Sequence, residues 1–183
     1  PAPVEQPCEV KLDDTGWPVS AQWPGMNKPL FAESPGTFVS VELTEFAGRW
    51  KYNEILQSAP GNEERRKQAL KETAANAAGN TTVESNPNTT LYTQAMEHPR
   101  LKWQTRTLEI YHREPRAVLT VRLYRISSEL PEWFYIGCAL PTGDTLPTVS
   151  CGGVPFVAFE DQLPHSCRDY LGIDGWADYG TAD

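Results

Sequence analysis

The densest concentration of groups able to do chemistry lies near the C-terminus. Between Phe159 and Tyr179, five carboxylates (Glu160, Asp161, Asp169, Asp174 and Asp178) sit among Phe159, Tyr170, Trp176 and Tyr179. Two carboxyls flanking a sugar ring, one as acid and one as nucleophile or base, with an aromatic face for stacking, equip a site for glycoside hydrolysis. Asp161, Asp169 and Asp174 are therefore the candidate catalytic acids. Asp161, Asp174, Trp176, Tyr170 and Tyr179 are the candidate ligand-binding set. The same groups can bind sugar without turnover. The acids can also cap turns and accept backbone hydrogen bonds in a loop-rich terminus. A working pair needs a cleft and carboxyls about 5–5.5 Å or about 6.5–9.5 Å apart. Sequence spacing supplies neither, so these acids are expected to order loops, with partners such as Arg168.

Other chemistries find less support. Only His98, His112 and His165 are available as imidazoles, and none belongs to a His-x-x-x-His or His-x-Asp unit. Ordinary hydrogen-bonding histidines and no metal are expected. Ser150-Cys151-Gly152-Gly153 is not a Gly-x-Ser-x-Gly elbow, and its glycines suit a tight turn before Val154-Pro155-Phe156. No phosphate-cradling or dinucleotide-binding glycine loop occurs, so no cofactor is expected. Cys8, Cys138, Cys151 and Cys167 form an even set without metal-type spacing. Four cysteines allow three pairings. Cys138 and Cys151 stand symmetrically about the turn 141–147, which, closed as a hairpin, would set them opposite one another and leave Cys8 for Cys167.

Charge and composition narrow the partners. The chain has 183 residues, 16 basic against 24 acidic, for a net charge of −8. Without a basic cluster such a chain repels phosphate backbones, so nucleic acid is not an expected partner. The 6 Trp, 7 Tyr and 6 Phe supply the apolar area that a disordered acidic tail lacks. No apolar run approaches the roughly 20 residues of a spanning helix, so no membrane partner is expected. Asn80-Thr81-Thr82 and Asn88-Thr89-Thr90 are N-glycosylation acceptors in a polar stretch. With the even cysteine count they point to a secreted, disulfide-bonded glycoprotein from a eukaryotic host. Pro1-Ala2-Pro3, with no apolar leader behind it, reads as a processed start.

The elements that must position these groups are mainly strands. Residues 1–37 hold Pro1, Pro3, Pro7, Pro18, Pro24, Pro29 and Pro35, so they are expected to run extended, pinned by Trp17, Trp23 and Phe31. Alternation puts Val39, Val41 and Leu43 on one face of a strand. The run 62–78, between Asn62 as N-cap and Gly79 as stop, predicts one solvated helix, and 61–90 reads as a helical and loop insertion. Leu108–Tyr111 is a short strand, and Ala117, Leu119, Val121 and Leu123 share a face of another. Trp133–Leu140 is apolar on both faces, which predicts a covered, central strand. The expected core is Val39, Val41, Leu119, Val121, Leu123, Phe134, Ile136 and Leu140. The expectation is a single domain over 1–183, an antiparallel β-sandwich with a proline-rich extended N-terminal segment.

Two resemblances bear on function. Gly48-Arg49-Trp50 resembles the lipocalin signature. That resemblance implies a barrel closed at its base by the tryptophan and a small apolar ligand inside. Lipocalins, however, continue directly into tight hairpins, whereas a charged stretch follows here. A longer series runs from Gly16-Trp17-Pro18, Trp23-Pro24-Gly25-Met26 and Pro29-Leu30-Phe31 through His98-Pro99-Arg100-Leu101 and Pro131-Glu132-Trp133-Phe134-Tyr135. It continues with Gly153-Val154-Pro155-Phe156, Asp161-Gln162-Leu163-Pro164, Cys167-Arg168-Asp169-Tyr170 and Ile173-Asp174-Gly175-Trp176. This series resembles the C-terminal β-sandwich region of large secreted α-mannosidase-type glycoside-hydrolase-like proteins of fungi and bacteria. The resemblance implies a carbohydrate-associated, non-catalytic domain or subunit, partnered by a catalytic domain or chain of the same parent. That family's His-x-Asp zinc motif and nucleophilic aspartate are absent, so no hydrolytic role carries over. A small stand-alone glycosidase using the C-terminal carboxylates is the third reading.

Overall fold

A computed structural model describes residues 8–43, 69–127, 132–138, 140, 146–162, 173 and 175–178. The described residues are mainly strand, and every ladder is antiparallel, in keeping with a sandwich-like fold. The chain falls into two compact units, Pro1–Leu140 and Pro141–Asp183.

The first unit contains β1 (Glu9–Leu12), β2 (Pro18–Gln22), β3 (Thr37–Leu43), β4 (Leu70–Ala74), β5 (Asn76–Ala77), β6 (Thr82–Ser85), β7 (Thr89–Glu97), β8 (Leu101–Tyr111), β9 (Ala117–Arg125) and β10 (Glu132–Gly137). β1 and β2 pair as a hairpin, and β3 lies between β10 and β4. A five-stranded sheet runs β5-β7-β8-β9, with β6 also on β7. The second unit holds β11 (Thr148–Cys151) between β12 (Val154–Val157) and β13 (Ala177–Asp178).

The core of the first unit is built in three bands along the inner face of the five-stranded sheet. At one end Trp17, Ala21, Trp23 and Phe31 bury against Tyr92, Leu108 and Ile110. At the other, Phe38 and Ala75 pack with Met96 and Leu101, and Leu123 and Phe134 close around them. Between the two lies a polar band of Gln94, Gln104 and Arg106, all buried. Arg106 donates Nε and Nη2 to Gln94 Oε1 at 3.0 and 2.6 Å, and Nη1 to Ser34 Oγ and the Pro35 carbonyl at 3.0 Å each. Its guanidinium lies 4.1 Å from the Trp17 ring. Burial pushes it down to about 10, with the Asp13 carboxylate pulling the other way.

This band locks the N-terminal segment in place. Gln94 Nε2 donates to Thr15 Oγ1 at 2.8 Å, and that hydroxyl donates to Asp13 Oδ1 at 2.6 Å. Asp13 Oδ1 also accepts from the Thr15 and Trp17 amides, which fixes the turn between β1 and β2. Residues 8–31 are thus a packed hairpin and not merely an extended strap, although Trp17, Trp23 and Phe31 do anchor it. Pro18 opens β2, where a missing donor does least harm.

Other expectations need correction. Leu70–Ala74 and Asn76–Ala77 are strands, while the remainder of the expected helix, 62–68, lies outside the described residues. Helix propensity is overridden by pairing. Leu70 through Ala74 align with Leu43 through Val39, and Ala77 aligns with Met96. The chain changes sheets at buried Ala75, whose amide donates to the Phe38 carbonyl at 2.8 Å. Residues 70–85 are therefore integral to the sheets, not an insertion. On β3 it is Phe38, Ser40 and Leu43 that are buried, with Val39 and Val41 half-buried. The expected face of β9 turns inward, but β10 is an edge strand, with Tyr135 55% and Ile136 49% exposed. Leu140 is exposed as well.

Candidate functional site

The outer face of the five-stranded sheet brings together groups that sequence reading left scattered. Side chains alternate across a strand, so Thr93 of β7, Trp103, Thr105 and Thr107 of β8, and Thr120, Arg122 and Tyr124 of β9 share this face. Register sets Thr82, Thr93, Thr107 and Thr120 side by side across β6, β7, β8 and β9. At the usual spacing between strands this hydroxyl row spans about 14 Å. Thr105 stands opposite Arg122, and Trp103 opposite Tyr124.

Trp103 owes its position to an irregularity. The β8–β9 register shifts between Leu101 and Trp103, and the extra residue, Lys102, is exposed beside it. Such bulges re-aim side chains, and here the indole stands 51% exposed. Tyr124 is also half exposed, with Lys102 Nζ 4.8 Å from its ring centroid. The indole borders two shallow depressions. One, of about 370 Å³, is lined by Trp103, Thr105, Thr107, Thr120 and Arg122. The other, of about 410 Å³, includes Asn76, Glu97, Lys102 and Trp103. Below the face, Arg106 points inward between Thr105 and Thr107 and ties β8 to β7 through Gln94. The outward hydroxyls thus stand on a rigid strand.

A flat indole beside aligned hydroxyls and a guanidinium suits a sugar ring. Apolar ring faces stack on the indole, while hydroxyls exchange hydrogen bonds with threonine and arginine. Sequence reading missed this face because β8 hides its period. Gln104 and Arg106 point inward and Trp103 outward, the reverse of a hydrophobic alternation. The available signal was Thr105-Arg106-Thr107 next to an isolated tryptophan.

Of the expected site residues, Asp161 and Trp176 are among the described residues. Asp161 lies in a turn after β12, where its Oδ2 accepts from the Val157 amide at 2.7 Å. Gln162 Oε1 accepts from the Phe159 amide at 3.1 Å, and Phe159 holds φ at 70°. Trp176 is half exposed, and its carbonyl accepts from the Ser150 amide at 2.9 Å. Asp169, Asp174, Tyr170, Tyr179 and Gly48-Arg49-Trp50 lie outside the described residues.

Cys8, Cys138 and Cys151 are free thiols, and Cys167 lies outside the described residues. The hairpin expected to face Cys138 with Cys151 does not form. β10 pairs with β3, whereas β11 turns at Gly152-Gly153 and pairs with β12. Both glycines have positive φ, 62° and 75°, as a two-residue hairpin loop requires. Burial pushes the Cys8 thiol up to about 11, which makes it a poor nucleophile. Asn80 and Asn88 are both exposed.

Two other constellations have the composition of active sites without the geometry. Ser40 Oγ lies 3.3 Å from His98 Nε2. His98 Nδ1, however, accepts from the Arg100 amide at 3.0 Å, so Nε2 carries the proton and donates to the Thr73 carbonyl at 3.0 Å. With both groups buried, the histidine is no base for the serine. Glu42 and Glu132 stand opposite one another on β3 and β10. Arg100 holds them together, donating Nε and Nη2 to Glu132 Oε2 at 2.9 and 2.8 Å, with Nε 3.0 Å from Glu42 Oε1. The cation offsets the repulsion of directly opposed like charges. Among the described residues, no cluster of three or more potential ligands is placed to hold a metal.

No family model, curated protein or solved structure matches this chain. Function is therefore argued from the site itself.

Proposed function

We propose that this chain is a non-catalytic carbohydrate-binding module of a secreted glycoprotein, and that it contacts glycan through the outer face of the five-stranded sheet. The observation that carries this reading is Trp103, raised at a strand irregularity and flanked by Tyr124, Arg122 and a four-threonine row. An exposed indole costs hydration, and a surface sugar platform is a use that repays it. The space between the sheets is occupied near Phe38, Met96, Leu101 and Phe134, which favours binding on a face over binding inside a barrel. Exposed Asn80 and Asn88, each heading a sequon, support secretion and N-glycosylation. In a larger parent, the module would hold a catalytic domain or chain near its substrate.

Affinity electrophoresis in soluble polysaccharides, with a glycan array beside it, tests the reading. Retardation of the wild-type chain is expected to vanish in Trp103→Ala and persist in Trp176→Ala. Binding that ignores Trp103 and depends on Trp176 would move the site to the second unit. Turnover of an aryl glycoside would contradict the non-catalytic assignment.

A further inference from the structure

The depression beside Trp103 carries a charge that a neutral sugar does not need. Its lining consists of one indole, three threonines and Arg122, with no carboxylate. Arg122 is exposed and stands opposite Thr105. Among the other described arginines of this unit, Arg113 is exposed in the turn after β8 and four are engaged. Arg106 is held by Gln94, Ser34 and Pro35, Arg100 by Glu42 and Glu132, Arg116 lies against Tyr111 and Glu114, and Arg125 lies over Phe134. No ion pair among the described residues engages Arg122. The next carboxylate along the same face of β8, Glu109, is four residues beyond Thr105. At the usual rise per residue that is about 13 Å away. A second cation, Lys102, stands on the far side of the indole's strand position, over Tyr124. In a chain of net charge −8, two cations bracketing Trp103 form a local reversal of sign.

We infer that the ligand of this face is an acidic glycan, whose uronate carboxylate is received by Arg122 while the sugar ring stacks on Trp103. This rests on the carbohydrate-binding reading and narrows it. A guanidinium presents paired N–H donors in a plane, which matches the two oxygens of a carboxylate. Thr105, Thr107 and Thr120 then face the hydroxyls of the same or the adjoining ring. The other depression is lined by Glu97 as well as Lys102, so its cation is offset where that of Arg122 is not. The chain of sugars is therefore registered with its acid group on the Arg122 side. The sheet's outer face binds the anion, and the protein's overall negative charge discourages acidic polymers everywhere else.

Isothermal titration of the full chain with galacturonate oligomers, neutral gluco- and mannooligosaccharides, and carrageenan oligomers, which carry sulfate but no carboxylate, tests this. The expected order is uronate above neutral, with the uronate affinity falling as salt is raised. Arg122→Gln should weaken uronate binding by about tenfold or more, the loss of a charge-assisted pair, and weaken neutral sugars far less, because glutamine still donates to a hydroxyl. Arg122→Lys should restore it only in part, because an ammonium lacks the fork. Arg122 is exposed, so circular dichroism should show both variants folded. Equal affinity for neutral and uronate oligomers, or an Arg122→Gln variant that binds uronate normally, would overturn the inference while leaving the sugar face standing. Preference for the sulfated oligomer with full activity in Arg122→Lys would overturn the carboxylate assignment. Binding of none of these oligomers would instead overturn the carbohydrate reading beneath it, and binding unaffected by Trp103→Ala would move the site off this face.

Discussion

Replacing Arg106 by methionine probes whether the polar band is a lock or a burden. The substitution keeps an unbranched side chain of similar length and removes the charge. Gln94 Oε1 then loses both of its donors, at 3.0 and 2.6 Å, and Ser34 Oγ loses one, at 3.0 Å. The Pro35 carbonyl is spared, since Trp17 Nε1 still donates to it at 3.2 Å. An orphaned buried amide oxygen costs about 1–3 kcal/mol. The lost stacking on Trp17 costs about 1–2 kcal/mol more. Relief of the desolvated cation offsets part of this, so a net loss of about 2–3 kcal/mol is expected. Adding Gln94→Leu removes the orphaned oxygen and joins the two apolar bands through Tyr92, residue 94 and Met96. Thr15 Oγ1 keeps its bond to Asp13. The double variant should therefore recover at least about 1 kcal/mol relative to Arg106→Met alone, because removing both partners avoids the unsatisfied group. Urea unfolding followed by tryptophan fluorescence measures the wild type, Arg106→Met, Gln94→Leu and the double variant. A double variant whose loss equals the two single losses added together would refute the reasoning.

Two further outcomes follow from the same region. Gly36 has φ near 79°, and an added Cβ would lie 2.9 Å from Leu119 Cδ1. Gly36→Ala should cost about 2 kcal/mol or more by thermal unfolding, combining left-handed strain with overpacking, and an unchanged midpoint would remove Gly36 from the fold's requirements. Burial works to raise the Asp13 pKa, but hydrogen bonds from Thr15 and Trp17 and the nearby Arg106 more than offset it, leaving the carboxyl below its usual range. A lowered folded value means stability that is present above the unfolded pKa of about 3.9 and lost as pH falls through the folded value. The wild-type advantage over Asp13→Asn should accordingly shrink on acidification below about pH 4, and a constant gap would contradict it.

The strand class was legible wherever alternation met a one-sided core. Ala117, Leu119, Val121 and Leu123 were placed on the inner face of β9 by parity alone, and the turn at Gly152-Gly153 by residue type. The illegible parts have physical causes. Leu70–Ala77 carries helix-favouring residues, and only its pairing with β3 and β7 makes it strand. Trp133–Leu140 looked central because both faces are apolar, yet its strand holds an edge and leaves Tyr135 and Ile136 in water. Of β8 only the end, Leu108–Tyr111, was legible, and the rest escaped for the opposite reason, since its inner face carries Gln104 and Arg106 and its outer face a tryptophan. Acidic density drew attention to the C-terminus, whereas the depressions lie where register brings together residues of several strands, a long-range property that local reading does not contain.

The Trp23 indole donates to the carbonyl of Tyr111, 88 residues later in the chain, at 2.7 Å. During synthesis at about 5–20 residues per second, that carbonyl emerges roughly 4–18 s after the indole. Through this interval Trp17, Trp23 and Phe31 have no sheet to bury against. The N-terminal hairpin is the first part of the described fold to be made, yet its full seating waits for the end of β8. Its prolines then act in the nascent chain, where they hold an aromatic segment away from strand-like association until β8 arrives. The same residues that staple the finished domain thus set the pace at which a growing polypeptide becomes safe from aggregation.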